Sequence, residues 1–278
     1  MKTILVPTDF SDIATNAINY AARLAVYTKS KLFLFHAYHV PMIVTEVPFV
    51  LTSEENQLEE QSNEQMKLII EDLQKKYENR LEIESFSMPG FTSNEIVDIA
   101  RDRNCDLIVM GTKGAGGSSR LLGTNTVDVI KQTNCNVLVV PEKVKFQKID
   151  KIVFAFDYKA INNSSVFDPL IELASLFNSE IMIFNIEDSR VQPTTEKALE
   201  GIKLDHAFEN LKHTYWFSEH ENIVEAINEF AVNNHAVMIT MIRRSHNLFQ
   251  QILSKSNTKL MALYSQLPVL VLHEQTDK

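Results

Sequence analysis

The chain has 278 residues, of which 45% are apolar, and a formal net charge of −9. That length suggests two ordinary domains, and the acidic balance argues against a nucleic-acid binder, which presents a basic face. Its two cysteines, Cys105 and Cys135, are too few for a disulfide framework, and no stretch approaches the roughly 20 apolar residues of a membrane span.

Ile4-Leu5-Val6 is a first strand, buried on both faces. Pro7 and Asp9 interrupt it before a signal-length apolar core develops, so a cytoplasmic protein is expected. Ser11 and Asp12 supply capping chemistry for a helix through Ala14, Ile18, Ala21, Ala22 and Ala25. Leu32 to Phe35 is the second strand. Residues 40–52 are apolar and, with Pro41 and Pro48, expected to be irregular. Leu58, Met66, Ile69, Ile70 and Leu73 have helical spacing inside the charged stretch 53–79. Glu82 to Ser87 is a third strand, Ile96, Ile99 and Ala100 mark a helix, and Leu107 to Met110 and Val137 to Val140 are the fourth and fifth strands. Strands alternating with helices imply a mainly parallel five-stranded sheet with helices on both faces.

The pattern then restarts. Lys2 to Asp9 has its counterpart in Asp150 to Asp157, Lys31 to His36 in Glu180 to Asn185, and Thr124 to Val140 aligns without a gap on Ser256 to Leu272. The polar connector Glu142 to Lys148 separates the copies. The expected architecture is therefore two tandem open-sheet α/β domains, residues 1–145 and 149–278. The fifth strands, Val137 to Val140 and Val269 to Leu272, would lie on sheet edges with unpaired backbone. Duplication suggests that they pair with each other inside one chain; a homodimer of whole chains is a further alternative.

Five of the seven glycines fall between Gly111 and Gly123, directly after the fourth strand and before a helical pattern. Glycine lets backbone approach a ligand closely, and a helix start offers amides and a positive dipole end to an anion. In open parallel sheets ligands bind beyond the carboxyl ends of the strands, where strand order reverses. Pro7-Thr8-Asp9, Ala37 and the stretch from Met110 through Gly111, Gly114, Gly123, Thr124, Asn125 and Thr126 stand at such ends. Together they offer a polar group for a base or ribose, an apolar slot and an anion cradle. A Walker loop is excluded, because Gly116 is followed by Gly117-Ser118. A dinucleotide fingerprint is excluded too, since Ser119 stands where its last glycine belongs.

Ile4 to Ser11, Asp106 to Gly114 and Gly123 to Thr126 resemble the universal stress protein family, here as a tandem pair covering essentially the whole chain. The resemblance implies a five-stranded parallel α/β fold and, for one subclass, ATP binding. That subclass has two glycines separated by two residues, a nine-residue spacer, then glycine and a hydroxyl residue. Gly111, Gly114, Gly123 and Thr124 match in type, with a spacer of eight residues, Ala115 to Leu122. By resemblance, Asp9 is the ribose- or adenine-side acid, Ala37 a main-chain contact to adenine, and Met110 a flank of the base. Gly111 and Gly114 approach the phosphates; Gly123, Thr124 and Asn125 hold them. The second copy has Thr240, Arg243 and Lys255 where the first has Gly111, Gly114 and Gly123.

A single adenine-nucleotide site is therefore expected in the first half, taking ATP with or without magnesium or manganese, in a regulatory or stress-response module with an unidentified protein partner. A nucleotide-free interaction scaffold and slow ATP hydrolysis are the alternatives. No general base or metal cluster is indicated. His36 and His39 lack a third ligand at metal spacing, which makes His36 a structural strand-end residue. The apolar segment 41–51 suggests a contact with the other repeat.

Overall fold

The computed structural model describes residues 1–39, 51–90, 92–112, 124–158, 161–186, 195–220, 222–243 and 266–274. In chain order the first half forms β1 (Thr3–Pro7), α1 (Asp12–Thr28), β2 (Lys31–Tyr38), α2 (Leu51–Lys76) and β3 (Ile83–Pro89), then α3 (Thr92–Asp102), β4 (Leu107–Gly111), α4 (Thr124–Gln132) and β5 (Asn136–Val140). The second half repeats the alternation with β6 (Lys151–Ala155), α5 (Asp168–Phe177), β7 (Glu180–Ile186) and α6 (Thr195–Ala207). It ends with β8 (His213–Ser218), α7 (Ile223–Asn233), β9 (Met238–Arg243) and β10 (Val269–His273). Residues 51 and 52, expected to be irregular, begin α2; residues 40–50 of the same apolar segment lie outside the described residues.

All ten strands join one sheet, in the order β3-β2-β1-β4-β5-β10-β9-β6-β7-β8. Pairing is parallel within each half and antiparallel only at the seam, where Val269, Leu270 and Val271 face Val139, Leu138 and Val137. The two edges expected to be exposed thus close each other, which removes the unpaired backbone of both.

Both faces of the sheet are covered. Ile4 and Val6 point into a core with residues of α1, α2, α5 and α6, whereas Leu5 points into the other with α3, α4 and α7. Each of these three side chains is fully buried, and such burial contributes about 1.5–3 kcal/mol per side chain. Both clusters run across the seam, so the halves share their cores. Asn16 fastens the connector to α1: its amide donates to the carbonyls of Pro141 (3.0 Å) and Val144 (2.9 Å), and its Oδ1 accepts from Lys145 Nζ. Phe146 then packs on Tyr20 and Tyr27 of the first half and Phe177 of the second.

The duplication extends to backbone strain. Phe10 (φ 62°) and Tyr158 (φ 50°) are left-handed just past the first strand of each half, as are Lys29 and Asn178 at the ends of α1 and α5. Asn104 and His235 repeat this before β4 and β9. None is glycine; Asn104 and Asn178 are of a type that tolerates the left-handed region, whereas Phe10, Tyr158, Lys29 and His235 are held there by the surrounding fold. No described helix is long and apolar enough to cross a membrane.

Candidate functional site

Within the first half the sheet order reverses between β1 and β4. β2 follows β1 on one side, while β4 pairs with β1 on the other through Ile4–Leu107 and Leu5–Ile108. Parallel strands put the carboxyl ends of β1 and β4 on the same side, so the Asp9 turn and Gly111 stand at the same end of the sheet, at the switch point.

The β1–α1 turn is built from its own side chains. Thr8 donates its amide to the Phe35 carbonyl at 2.8 Å, and Thr8 Oγ1 accepts the Phe10 amide. Asp9 Oδ1 accepts from the Ser11 amide (3.1 Å) and hydroxyl (2.6 Å), and the Ser11 hydroxyl caps α1 by accepting from the Ala14 amide. His36 Nδ1 donates to the Thr8 carbonyl at 2.7 Å. Its counterpart Asn185 donates to the Phe156 carbonyl, also at 2.7 Å. One position thus performs the same main-chain tie in both copies, which gives His36 its structural role. Ala37 follows on β2, and Pro7 ends β1.

On the other side of the switch point, Met110 is buried and Gly111 ends β4. A Cβ on Gly111 would stand 2.5 Å from Ile13 Cγ2 and 3.2 Å from the Ile13 carbonyl oxygen. The glycine therefore lets β4 close against the first turn of α1. Its carbonyl accepts the hydroxyl of buried Thr126 at 3.0 Å, which pulls the start of α4 onto the end of β4. Asn125 beside it is exposed, and Thr124 opens α4. Gly114 and Gly123 lie outside the described residues. Gly111→Ala is expected to cost about 1–3 kcal/mol through overpacking. In an Ile13→Ala background that penalty should fall by about 1 kcal/mol, as read by urea denaturation. Equal penalties in both backgrounds would exonerate Ile13.

The corresponding strand ends of the second half carry larger side chains. Phe156 stands where the first half has Thr8, is 2% exposed, and packs on Phe154, Tyr158 and Phe167. Arg243 ends β9, and its guanidinium donates to the carbonyl of Lys131. A cavity of about 750 Å³ lies elsewhere, at the amino ends of β4 and β5, lined by Asp106, Asn136 and His273 among others. It is remote from the Asp9–Gly111 switch point because parallel strands point the other way. Among the described residues no cluster of three or more His, Cys, Asp or Glu could hold a metal ion.

The structural role expected for His36 is the tie to Thr8, whereas the sequence reading missed two contributors: Ile13, which occupies the space Gly111 leaves, and His273, a seam residue. Only Ile13 carried a signal, as an apolar side chain one turn past the Asp9 loop.

The universal stress protein family model matches residues 1–141. The chain belongs to the universal stress protein family. Two universal stress proteins of Methanocaldococcus jannaschii are similar to it. One is 34% identical over 148 residues, covering 52% of this chain and 84% of that protein; the other is 31% identical over 155 residues, covering 51% and 96%. The fold of a universal stress protein from Archaeoglobus fulgidus superposes with a TM-score of 0.73 at 16% identity, covering 98% of each chain. Relatives that match half the chain and a structure that matches both halves agree with a tandem universal stress protein.

Proposed function

We propose that this universal stress protein binds one adenine nucleotide, ATP, in the crevice between the carboxyl ends of β1 and β4, as a regulatory or stress-response module of the cytoplasm. The observation that carries the reading is the juxtaposition of Asp9 and Gly111 at the point where strand order reverses, with the start of α4 drawn to the same place by Thr126. Asp9 with Pro7 and Thr8 would face the ribose or base, Ala37 would meet adenine through its main chain, and Met110 would flank it. Gly111, Gly114 and Gly123 would bring bare backbone to the phosphates, held by the amides of Thr124 and Asn125. A helix start suits that task because its first amides lack intrahelical acceptors and carry the positive dipole end. The ligand would bring its own magnesium or manganese. Residues 149–278 would form a domain without a nucleotide site, since Phe156 replaces Thr8 and Ile242 replaces Gly111 at its equivalent strand ends.

Thermal denaturation with added ATP, AMP and magnesium tests the reading. Ligand at 100 times its dissociation constant stabilises the folded form by about 2.7 kcal/mol, so a rise in Tm with ATP is expected, larger than with AMP. No shift at millimolar ATP would remove the nucleotide. A second reading, a nucleotide-free scaffold for a protein partner, is favoured by one observation. The space at Gly111 is taken by Ile13, and the Asp9 carboxylate is already engaged by Ser11. Native mass spectrometry separates the two through co-purified nucleotide, and phosphate release in the same samples tests slow hydrolysis.

A further inference from the structure

α4 is held at both ends, and the two holds come from different halves of the chain. Its first turn is tied to β4 through the Thr126 hydroxyl and the Gly111 carbonyl. Its middle is buried, with Val129 and Ile130 packed in the core that crosses the seam. Its last-turn carbonyls have no N–H donors within the helix, as at every helix end. Here they are met from the second half. His273 Nε2 donates to the Ile130 carbonyl at 3.0 Å, and the Arg243 guanidinium donates to the Lys131 carbonyl.

The topology explains why these two residues arrive together. β9 and β10 are parallel neighbours, with Arg243 and His273 in register at their carboxyl ends. Because β10 runs antiparallel to β5, those ends lie beside the start of β5, where α4 terminates. The His273 amide also donates to Asn136 Oδ1 at 3.1 Å, which fixes the strand end against β5. The strand registers make Leu107 and Met238 equivalent, so Arg243 answers to Thr112 rather than to Gly114, and Ile242 rather than Thr240 answers to Gly111, which corrects the alignment read from sequence. A strand-end arginine of the second half thus supplies a cationic cap to a helix of the first.

We propose that the second half acts as a clamp on α4, with Arg243 and His273 as positioning residues for the nucleotide site at the other end of that helix. The inference rests on the nucleotide reading given above. α4 has nine residues and so spans about 14 Å. A short helix with one buried face moves as a unit, and releasing its carboxyl end loosens the hold of its amino end on Gly111. Neither residue touches the nucleotide. A cation at a helix carboxyl end also complements the dipole, which strengthens the hold.

The experiment uses the full chain, with ATP titration and amide hydrogen exchange on the wild type, Arg243→Leu and Arg243→Lys. Leucine removes the donor; lysine restores a cation and donor on a flexible stem. Arg243→Leu is expected to weaken ATP binding about two- to five-fold, the ratio that one helix-end cation supports. It should also speed exchange in the last turn of α4, while Arg243→Lys recovers most of both. Unchanged affinity and unchanged α4 exchange in Arg243→Leu would overturn the clamp. So would faster exchange spread evenly over the chain, which marks general destabilisation. If the wild type itself fails to bind ATP, the nucleotide reading falls and takes the positioning role with it, whereas the exchange data still decide whether Arg243 clamps α4.

Discussion

Replacing Phe154 by alanine is expected to destabilise the folded chain by about 3–5 kcal/mol, the largest effect of any single truncation considered. Phe154 is fully buried on β6, and its ring lies 5.3 Å from Phe156, 5.9 Å from Phe167 and 6.0 Å from Phe208, measured between centroids. Two of these contacts are edge-to-face, and such pairs add about 0.5–1.5 kcal/mol each beyond the area they bury. Removing the ring leaves a space bounded by three rigid neighbours, none of which can swing into it from its own helix or strand without losing its other contacts. The aligned position in the first half is Val6, so the second half has replaced an aliphatic core with an aromatic one beside the turn where Phe156 stands in place of Thr8. The shift of the urea midpoint measures the loss; a cost below about 1 kcal/mol would show that the cluster relaxes around the gap.

Acidification gives the second large effect. His273 is 4% exposed; burial, aided by the positive charge of Arg243, pushes its imidazole down to about 4 from 6.5. The bond from Nε2–H to Ile130 requires only the neutral ring, and Nδ1 is buried without a hydrogen-bond partner among the described residues. Because the folded value lies below the unfolded one, the unfolded chain binds more protons between about 6.5 and about 4, and stability falls as pH falls through that window. The loss is bounded at about 3 kcal/mol by 1.36 kcal/mol per unit. Asp106 adds to the acid sensitivity at lower pH. Burial opposes its ionisation, but the amides of Lys2 and Thr3 and the Thr3 hydroxyl hold its carboxyl below the usual range. The contribution of His273 is isolated by comparison with His273→Gln, which keeps an N–H donor but does not titrate. The wild type should lose about 2 kcal/mol more than the variant between neutral pH and about pH 4.5. Parallel pH profiles for the two proteins would mean that the ring is protonated or hydrated in the folded state.

Much of this fold could be read directly from residue order. Fully apolar strands, such as Leu107 to Met110, announce a sheet buried on both sides. The alignment of Thr124–Val140 on Ser256–Leu272 carries the duplication, and the unpaired edges of two equivalent fifth strands are enough to predict the β5–β10 seam. What sequence could not supply was contact at long range. His36 was expected to be structural, but its partner could not be named, because a main-chain carbonyl 28 residues away has no residue-type signal. His273 reads as an ordinary strand exit until antiparallel pairing brings it to Ile130, 143 residues distant. The glycine at 111 was read for the approach of a ligand, whereas its immediate neighbour is Ile13, and only three-dimensional packing reveals the second demand on that position. The left-handed turn at Phe10 and its repeat at Tyr158 were equally hidden, since neither residue type favours that conformation.

Isothermal titration of the full chain with ATP tests the central claim most directly. The account predicts saturable binding with one nucleotide per chain, at the β1–β4 switch point of the first half. Two equivalent sites would contradict the assignment of the second half, and the absence of binding heat under several buffers and temperatures would contradict the site itself.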